Sequence, residues 1–318
     1  MTSCLPAIRS AVRPWLEKFE AGDCVVVAVS GGADSLALAY AMSVEAKKLA
    51  INVHAITVDH QLQSRSAEQA SKVVEQMLSL GIATTVERVV VNITDGLEAS
   101  ARSARYEALN DTSLKLGAVA VFLGHTHNDQ AEGVLLGLAR GSGTRSLSAM
   151  APHNGIYIRP LLTITRSETE SVCDEVGLSP WNDPHNQDTT FARVRVRTQA
   201  LPALEAAIGP GISHALVRSA ELLRQDADAL DEWAEREAAP LDLSDLDCNH
   251  LAQLPKAIRS RIIRMAIYAA GAPSGSVTSE HVGAVEALIS AWNGQAEAHL
   301  PGGVKVGRFS GRLSLLHD

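Results

Sequence analysis

Short apolar runs alternate with longer stretches of helical periodicity through residues 20–200. The apolar runs are rich in valine and isoleucine and predict buried strands, at 24–29, 51–58, 85–91 and 119–123. The stretches that separate or follow them have the apolar spacing of helices, near 36–49, 67–80, 97–116 and 130–139. This alternation predicts an α/β fold with a doubly wound, mainly parallel sheet, whose ligands bind at the carboxyl ends of the strands.

The alternation of strand and helix stops after Pro202. A long amphipathic helix with an acidic outer face is predicted at 212–237, and two shorter helices near 256–270 and 279–289. A Pro-Gly-Gly turn then precedes a probable hairpin across 304–316. The pattern therefore predicts three parts, which are a large α/β domain, a linker helix and a smaller, mostly helical domain, at 1–205, 206–239 and 240–318.

Composition narrows the cellular setting. The chain has 318 residues, 46% of them hydrophobic, which is enough for sizeable cores. It has no apolar stretch long enough for a membrane span and no hydrophobic leader near its start, which argues against membrane insertion and secretion and predicts a cytoplasmic protein. The four cysteines form no Cys-x-x-Cys pair, so a zinc site, an iron–sulfur site or a local redox pair has no support.

The net charge of −8 is unevenly distributed. Residues 221–247 contain ten acids and two arginines, and the rest of the chain balances 26 basic residues against 26 acidic ones. Two segments, 133–167 and 189–204, contain arginines and no acids. The arginines are Arg140, Arg145, Arg159, Arg166, Arg193, Arg195 and Arg197. On charge alone, an anion-facing surface and scattered solvated arginines explain these segments equally well.

A Ser-Gly-Gly-Ala-Asp-Ser turn follows the first predicted strand, at residues 30–35. Gly31 and Gly32 let an anion approach the backbone closely, and the hydroxyls of Ser30 and Ser35 add donors beside the start of the next helix. The turn lacks the lysine of a Walker motif and is not Gly-x-Gly-x-x-Gly. It predicts a phosphate site of another kind.

Two more polar clusters follow predicted strands, at 59–60 and 125–129, so three clusters converge on one edge of the sheet. Asp129 and Glu132 share one helix face, where they could hold Mg²⁺ or an amine, or simply offset the helix dipole.

Two arginine-containing patterns complete the candidate chemistry. Glu98, Arg102 and Arg105 lie on one side of a predicted helix, where the arginines either stabilise phosphates or pair with Glu98 as a surface ladder. An Asx-Pro turn at 182–184 leads into alternating arginines at 193–197, which offer a charged strip for phosphates or form a solvated edge.

In this order the segments resemble the tRNA(Ile)-lysidine synthetases of the PP-loop ATP pyrophosphatase superfamily. The matching segments are 30–35, 58–62, 98–106, 129–132, 140–143, 159–162 and 183–202. The resemblance covers nearly all of residues 20–205, and the remainder looks like that family's smaller tRNA-contacting domain. Two positions depart from the pattern: Asn128 stands where an aspartate is usual, and Val194 where an asparagine between arginines is expected.

The resemblance implies an ATP- and Mg²⁺-dependent ligase that joins L-lysine to C2 of the wobble cytidine in a minor tRNA(Ile) with a CAU anticodon. ATP adenylates the C2 oxygen, pyrophosphate leaves, and the lysine amine then expels AMP. Members of the family include dimers. The resemblance leaves two rivals, another PP-loop tRNA-modifying enzyme such as a thiolase or amidotransferase-type synthetase, and a non-catalytic ATP-dependent RNA-binding module.

The resemblance also implies roles for particular residues. ATP binding falls to Ser30, Gly31, Gly32, Ala33, Asp34 and Ser35. The catalytic candidates are Asp34, Arg102, Asp129, Glu132 and Arg195, of which Asp34 and Asp129 would ligate the metal. The candidates for tRNA contacts are Arg140, Arg145, Arg193 and Arg197. His60 and His125 either lie beside a base or are structural.

Overall fold

The computed structural model describes residues 3–61, 65–92, 96–141, 143–273 and 275–317, with the backbone alone at 98, 184 and 185. The chain divides into two compact units, Met1–Glu221 and Leu222–Asp318. The division falls inside the helix Ile212–Ala238, within the segment 206–239 that the sequence analysis treats as a linker.

The first unit contains a six-stranded sheet with the strand order β3-β2-β1-β4-β6-β5. The strands are β1 Cys24–Ala28, β2 Asn52–Asp59, β3 Ala83–Arg88, β4 Ala120–Leu123, β5 His153–Asn154 and β6 Tyr157–Ile158. All neighbouring pairs are parallel except β5 and β6. The predicted doubly wound, mainly parallel sheet is therefore confirmed.

Helices cover both faces of this sheet. The helices up to and across the boundary between the units are α1 Leu5–Leu16, α2 Ala33–Lys48, α3 Ser66–Ser79, α4 Leu97–Lys115, α5 His127–Ala139, α6 Thr144–Leu147, α7 Arg166–Val176, α8 Ala192–Arg195, α9 Leu201–Ile208 and α10 Ile212–Ala238. Side chains alternate along β1, so Val25 and Val27 pack with α1, α2, α3 and α7, whereas Val26 packs with Leu109 of α4. We refer to these as the α2 face and the α4 face.

The second unit combines helices with a small antiparallel sheet. Its helices are α11 Cys248–Gln253, α12 Lys256–Ala269 and α13 Ser279–Ser290. Its strands are β7 Asp245–Asp247, β8 Ala298–His299, β9 Val304–Phe309 and β10 Arg312–His317, in the order β7-β10-β9-β8. The predicted hairpin is the β9–β10 pair, and buried residues such as Ile262 and Leu313 form a core separate from that of the first unit.

Across the described ranges, no single helix has the length and apolar character needed to span a membrane. One pair bent by 100°, Ala192–Ile208 with Ile212–Ala238, satisfies the length and composition test together.

Candidate active site

The turn at residues 30–35 closes on itself through its two serines. The Ser30 N–H donates to Ser35 Oγ (3.1 Å), and Ser35 Oγ donates to the Gly32 carbonyl (2.9 Å). Helix α2 begins at Ala33, and its N-terminus has no side-chain cap. The first-turn N–H groups are therefore available to an anion, as the sequence predicts for a phosphate site.

Two glycines hold this turn close to its surroundings. Gly31 has φ +87°, and a Cβ there would lie 2.7 Å from Gln69 Nε2. A Cβ on Gly124 would lie 3.0 Å from the backbone of Asp34 and from the Cα of Ser35. Sequence reasoning missed Gly124, although a glycine directly after a buried strand was a usable signal.

Asp34 is held by helix α7. Its Oδ2 accepts a hydrogen bond from the Arg166 guanidinium (2.9 Å), and its Oδ1 accepts one from Thr169 Oγ1 (2.5 Å). Burial raises the pKa of Asp34 above its ordinary value, although Arg166 and Thr169 oppose the shift. The sequence analysis gave neither partner a role in the site.

Asp129 caps helix α5. Its Oδ2 accepts hydrogen bonds from the Thr126 N–H (2.8 Å) and Thr126 Oγ1 (2.9 Å). Burial opposes ionisation, yet these hydrogen bonds and nearby cations hold the pKa of Asp129 below its ordinary value. The neighbouring Asn128 accepts a hydrogen bond from the Arg166 N–H (2.9 Å), so this departure from the family pattern joins α5 to α7.

Glu132 and Arg197 form an ion pair. The Arg197 Nε donates to Glu132 Oε1 (2.6 Å) and its terminal nitrogen to Oε2 (3.1 Å). Glu132 is fully buried, and Arg197 also lies 3.8 Å from Asp129 Oδ1. Burial alone would lower the pKa of Arg197, but hydrogen bonds to the Glu132 carboxylate raise it. Glu132 and Arg197 thus bind each other, whereas the sequence analysis gave Glu132 a catalytic role and Arg197 a contact with tRNA.

The alternating arginines do not form an extended strip, because the chain is helical there. Residues 192–195 form α8 and residues 196–200 a π-helical turn, so side chains two positions apart project in nearly opposite directions. The Arg195 guanidinium donates to the carbonyls of Thr189 and Thr190, both at 2.7 Å. Val194 is buried, so this second departure from the family pattern serves packing.

The remaining predicted residues are dispersed. Arg140 and Arg145 are exposed on the segment that follows α5. Arg102 donates to the Tyr106 hydroxyl (3.3 Å), and Arg193 lies close enough to Arg105 to affect its ionisation. The Glu98 side chain, together with Leu62 and Ser142 of the matched segments, lies outside the described residues.

Two histidines at strand ends have unusual surroundings. The Nδ1 atoms of His60 and His125 are buried and have no hydrogen-bond partner in the described ranges. Burial, with help from nearby arginines, lowers the pKa of His125 to about 3. The pKa of His60 is lowered by the same two causes, so both rings are neutral at pH 7.

A pocket on the α2 face opens beside the turn. It is lined by Ser30, Asp59, His60 and Trp181, among other residues. The Trp181 N–H donates to the Gly31 carbonyl (2.8 Å), which ties this wall of the pocket to the turn. The structure thus places the turn and the end of β2 around one space.

Asp34 and Asp129 suit Mg²⁺ as a donor pair. Mg²⁺ prefers oxygen ligands and is commonly held by one or two carboxylates together with substrate phosphates. Asp129 Oδ1 is the oxygen that the Thr126 cap leaves unused. Within the described ranges no group of three His, Cys, Asp or Glu side chains could hold a metal without such phosphates.

A capless helix start after a Ser-Gly-Gly-x-Asp-Ser turn, on a sheet of this order, defines a nucleotide-binding protein of the PP-loop class. A family model described as PP-loop domain matches residues 7–204, and one described as TilS substrate binding domain matches residues 246–314. The chain belongs to the tRNA(Ile)-lysidine synthase family.

Relatives named tRNA(Ile)-lysidine synthase align along most of the chain. The protein of Thermobifida fusca is 48% identical over 315 residues, covering 98% of this chain and 97% of the relative. That of Streptomyces coelicolor is 48% identical, covering 91% and 84%. Among solved structures, a U34-tRNA thiolase from Methanococcus maripaludis has a TM-score of 0.58 at 20% identity, covering 70% of this chain and 79% of that one, which reflects a shared fold.

Proposed function

We propose that this chain joins L-lysine to C2 of the wobble cytidine of tRNA(Ile) with a CAU anticodon. The observation that carries the proposal is 48% identity across 98% of the chain to a protein named for this activity. The reaction uses one ATP and has two steps. The C2 oxygen attacks the α-phosphorus and pyrophosphate leaves; the lysine amine then attacks C2, loses a proton and expels AMP.

In this proposal the turn at 30–35 binds the pyrophosphate part of ATP. The uncapped N-terminus of α2 and the Ser30 hydroxyl supply donors to the phosphates, and the Ser35 hydroxyl holds the turn in shape through the Gly32 carbonyl. Arg166 and Thr169 fix the Asp34 carboxylate at the first turn of α2. The pocket walled by Trp181 receives the nucleoside.

The proposal includes Mg²⁺, held by Asp34 and Asp129. When bound, the ion neutralises negative charge on the phosphates. Both carboxylates are oriented by hydrogen bonds from other side chains, so their positions do not depend on the ion. Protein-imposed orientation of this kind lowers the reorganisation needed when substrates arrive.

The target base comes from a single-stranded loop and can be extruded into the site at modest cost. His125 lies at the end of β4 with its neutral ring, so it offers hydrogen-bonding capacity without adding charge near a developing cationic base. The amine of lysine is placed near Asp129. The proposal places the enzyme in the cytoplasm. It also includes a homodimer, and light scattering tests that assembly.

A tRNA-dependent AMP-release assay, with and without lysine, tests the proposed function. Lysine should increase AMP release, and AMP should not form without tRNA. Asp34→Ala should abolish tRNA-dependent ATP–pyrophosphate exchange, whereas Asp111→Ala, at an exposed position on α4, should leave it unchanged. AMP release that is equal without tRNA would refute the proposed function, and near-normal exchange in Asp34→Ala would remove Asp34 from the mechanism.

A further inference from the structure

Tyr106 lies at the centre of an arginine cluster on the α4 face. Its hydroxyl accepts hydrogen bonds from Arg102 (3.3 Å) and Arg159 (3.5 Å). The guanidinium carbons of Arg102 and Arg105 lie 4.9 and 5.9 Å from its ring centroid. Tyr157 packs edge-on against the same ring at 5.0 Å. We call Tyr106, Arg102, Arg105 and Arg159 the Tyr106 cluster.

No carboxylate among the described residues forms an ion pair with the arginines of this cluster, and the opposite charge that acts on Arg105 is the more distant Asp129. Arg159 is only 6% exposed, its Nε is buried without a partner, and no carboxylate in the described ranges pairs with it. One terminal nitrogen donates to the neutral Ala151 carbonyl (2.9 Å). Arg105 is half-buried, and the described part of the chain offers it neither a hydrogen bond nor an ion pair. Burying cations without a counter-charge is costly.

Several partly or fully buried arginines have carboxylate partners, which are Asp34 for Arg166, Glu132 for Arg197 and Glu286 for Arg259. Two half-buried arginines, Arg264 and Arg308, donate to backbone carbonyls instead. Arg259, at 9% exposed, matches Arg159 most closely in burial, and among the described residues it has a carboxylate where Arg159 and Arg105 have none. Such a pair of cations is suited to an anion that arrives with a ligand.

The position of the cluster indicates which anion this is. The turn at 30–35 and its pocket take up the ATP phosphates on the α2 face, whereas Tyr106 packs on the α4 face. Arg159 directly follows β6, at the carboxyl edge of the sheet, and Arg105, near the middle of α4, joins it through their shared contact with Tyr106. His125 follows β4 by two residues, and Asp129 as well as Arg105 and Arg159 lie close enough to affect its ionisation. A second phosphate-bearing ligand would reach the same edge from the other face.

We propose that Arg105 and Arg159, held in place by Tyr106, bind a backbone phosphate of the RNA beside the target cytidine. The identity of the RNA rests on the proposed function. Tyr106 is a positioning residue here, since its hydroxyl and ring contact the arginines. An extruded nucleotide carries its flanking phosphates with it, and arginine forks match phosphate geometry.

Filter binding of tRNA(Ile), without ATP or lysine, separates this subsite from the reaction. Arg159→Gln and Arg105→Gln should each weaken RNA binding about tenfold. Each should also reduce the slope of log affinity against log salt by about 0.7–0.9, the value of one phosphate contact. The control is Arg65→Gln, because Arg65 is 85% exposed and its ion pair within the described ranges is a 3.9 Å contact with Glu68. Arg159→Lys keeps the charge and should recover part of the affinity.

The affinity for ATP, measured by equilibrium dialysis, distinguishes an RNA subsite from a nucleotide subsite. It should stay within about twofold of wild type in the arginine variants. A raised Kd for ATP with unchanged RNA binding would overturn the proposal and assign the cluster to the nucleotide. Wild-type-like RNA affinity and salt slope in Arg159→Gln would also overturn it, provided that circular dichroism shows a folded protein.

Tyr106→Phe tests the positioning role, because it removes the hydroxyl acceptor and keeps the ring. The KM for tRNA should rise roughly three- to tenfold, with kcat and the KM for ATP nearly unchanged. An unchanged KM for tRNA would refute the role of the hydroxyl. If the arginine variants weaken RNA binding while wild type makes no lysine adduct, the subsite stands and the proposed function falls. If wild type binds no tRNA, both fall.

Discussion

Glu132 and Arg197 offer the sharpest test of how the site is held together. The carboxylate is fully buried and accepts two hydrogen bonds, and the guanidinium is 26% exposed. Removal of Arg197 leaves a buried carboxylate without its partner, and removal of Glu132 leaves Arg197 with only the more distant Asp129, at 3.8 Å. Arg197→Met and Glu132→Gln should therefore each destabilise the fold by about 3–5 kcal/mol.

The two effects should not add. The double variant leaves no unpaired charge, so its cost should fall about 3 kcal/mol or more short of the sum of the single costs. An exposed pair in the same unit provides the comparison. Glu68 is 70% exposed, and Glu68→Gln should change stability by less than about 0.5 kcal/mol.

Urea unfolding, followed by circular dichroism, measures the stability of the wild type, the two single variants and the double variant. Hydrogen exchange in α5 shows whether the loss of stability is local to this helix. Burial already raises the pKa of Glu132 although the Arg197 hydrogen bonds oppose the shift. Removal of Arg197 takes this opposition away, so protonation of Glu132 relieves the penalty in Arg197→Met. The deficit of that variant should then shrink as the pH falls from 7 toward 5. Single costs below about 1 kcal/mol, or strict additivity, would refute the argument.

Two further predictions concern other parts of the first unit. Burial opposes ionisation of Glu45, but hydrogen bonds from Arg13, Lys48 and Arg9 lower its pKa from 4.5 to about 2. The ionised Glu45 therefore contributes about 3 kcal/mol to the free energy of unfolding above pH 4.5, and this contribution is lost as the pH falls toward 2. Glu45→Gln should destabilise the protein at pH 7 and hardly at pH 2. Urea titration at the two pH values measures the difference. Gly124→Ala should weaken ATP binding tenfold or more, because the added Cβ would press on the start of α2. The control is Gly283→Ala, where an added Cβ meets open space and should leave ATP binding unchanged. Equal ATP affinity of the two variants in equilibrium dialysis would contradict this prediction.

Strand and helix order could be predicted because each apolar run is local. The ends of elements depend on neighbours in space. The third strand was predicted at 85–91, but the structure has Ala83–Arg88, because β3 pairs with β2 from His54 to Asp59. Helix α1 was missed, although Ile8, Val12 and Leu16 form one buried stripe. Two of its arginines, between these apolar positions, bind Glu45 on α2, a contact that no local pattern reveals.

The turn at 30–35 and the helix start after it could be predicted because their residues are contiguous, and the binding of phosphate there stays a prediction. The partners of Asp34 could not, since Arg166 and Thr169 lie more than 130 positions away along the chain. The period of two at 193–197 indicated a charged strip, but helical backbone there turns Arg197 toward Glu132. The roles predicted for Arg102, Arg140, Arg145 and Arg195 stay predictions.

The hydrogen bond from Trp181 to Gly31 gives the protein a built-in optical reporter. The chain contains four tryptophans, and the indole of Trp181 lines the pocket beside Ser30. The backbone N–H of Trp181 donates to the carbonyl of Gly31, the left-handed residue of the turn at 30–35, 150 positions earlier in the chain. If nucleotide binding or release shifts that turn, this hydrogen bond carries the shift to the backbone that holds the indole. Intrinsic fluorescence should therefore follow each turnover of the nucleotide without a label.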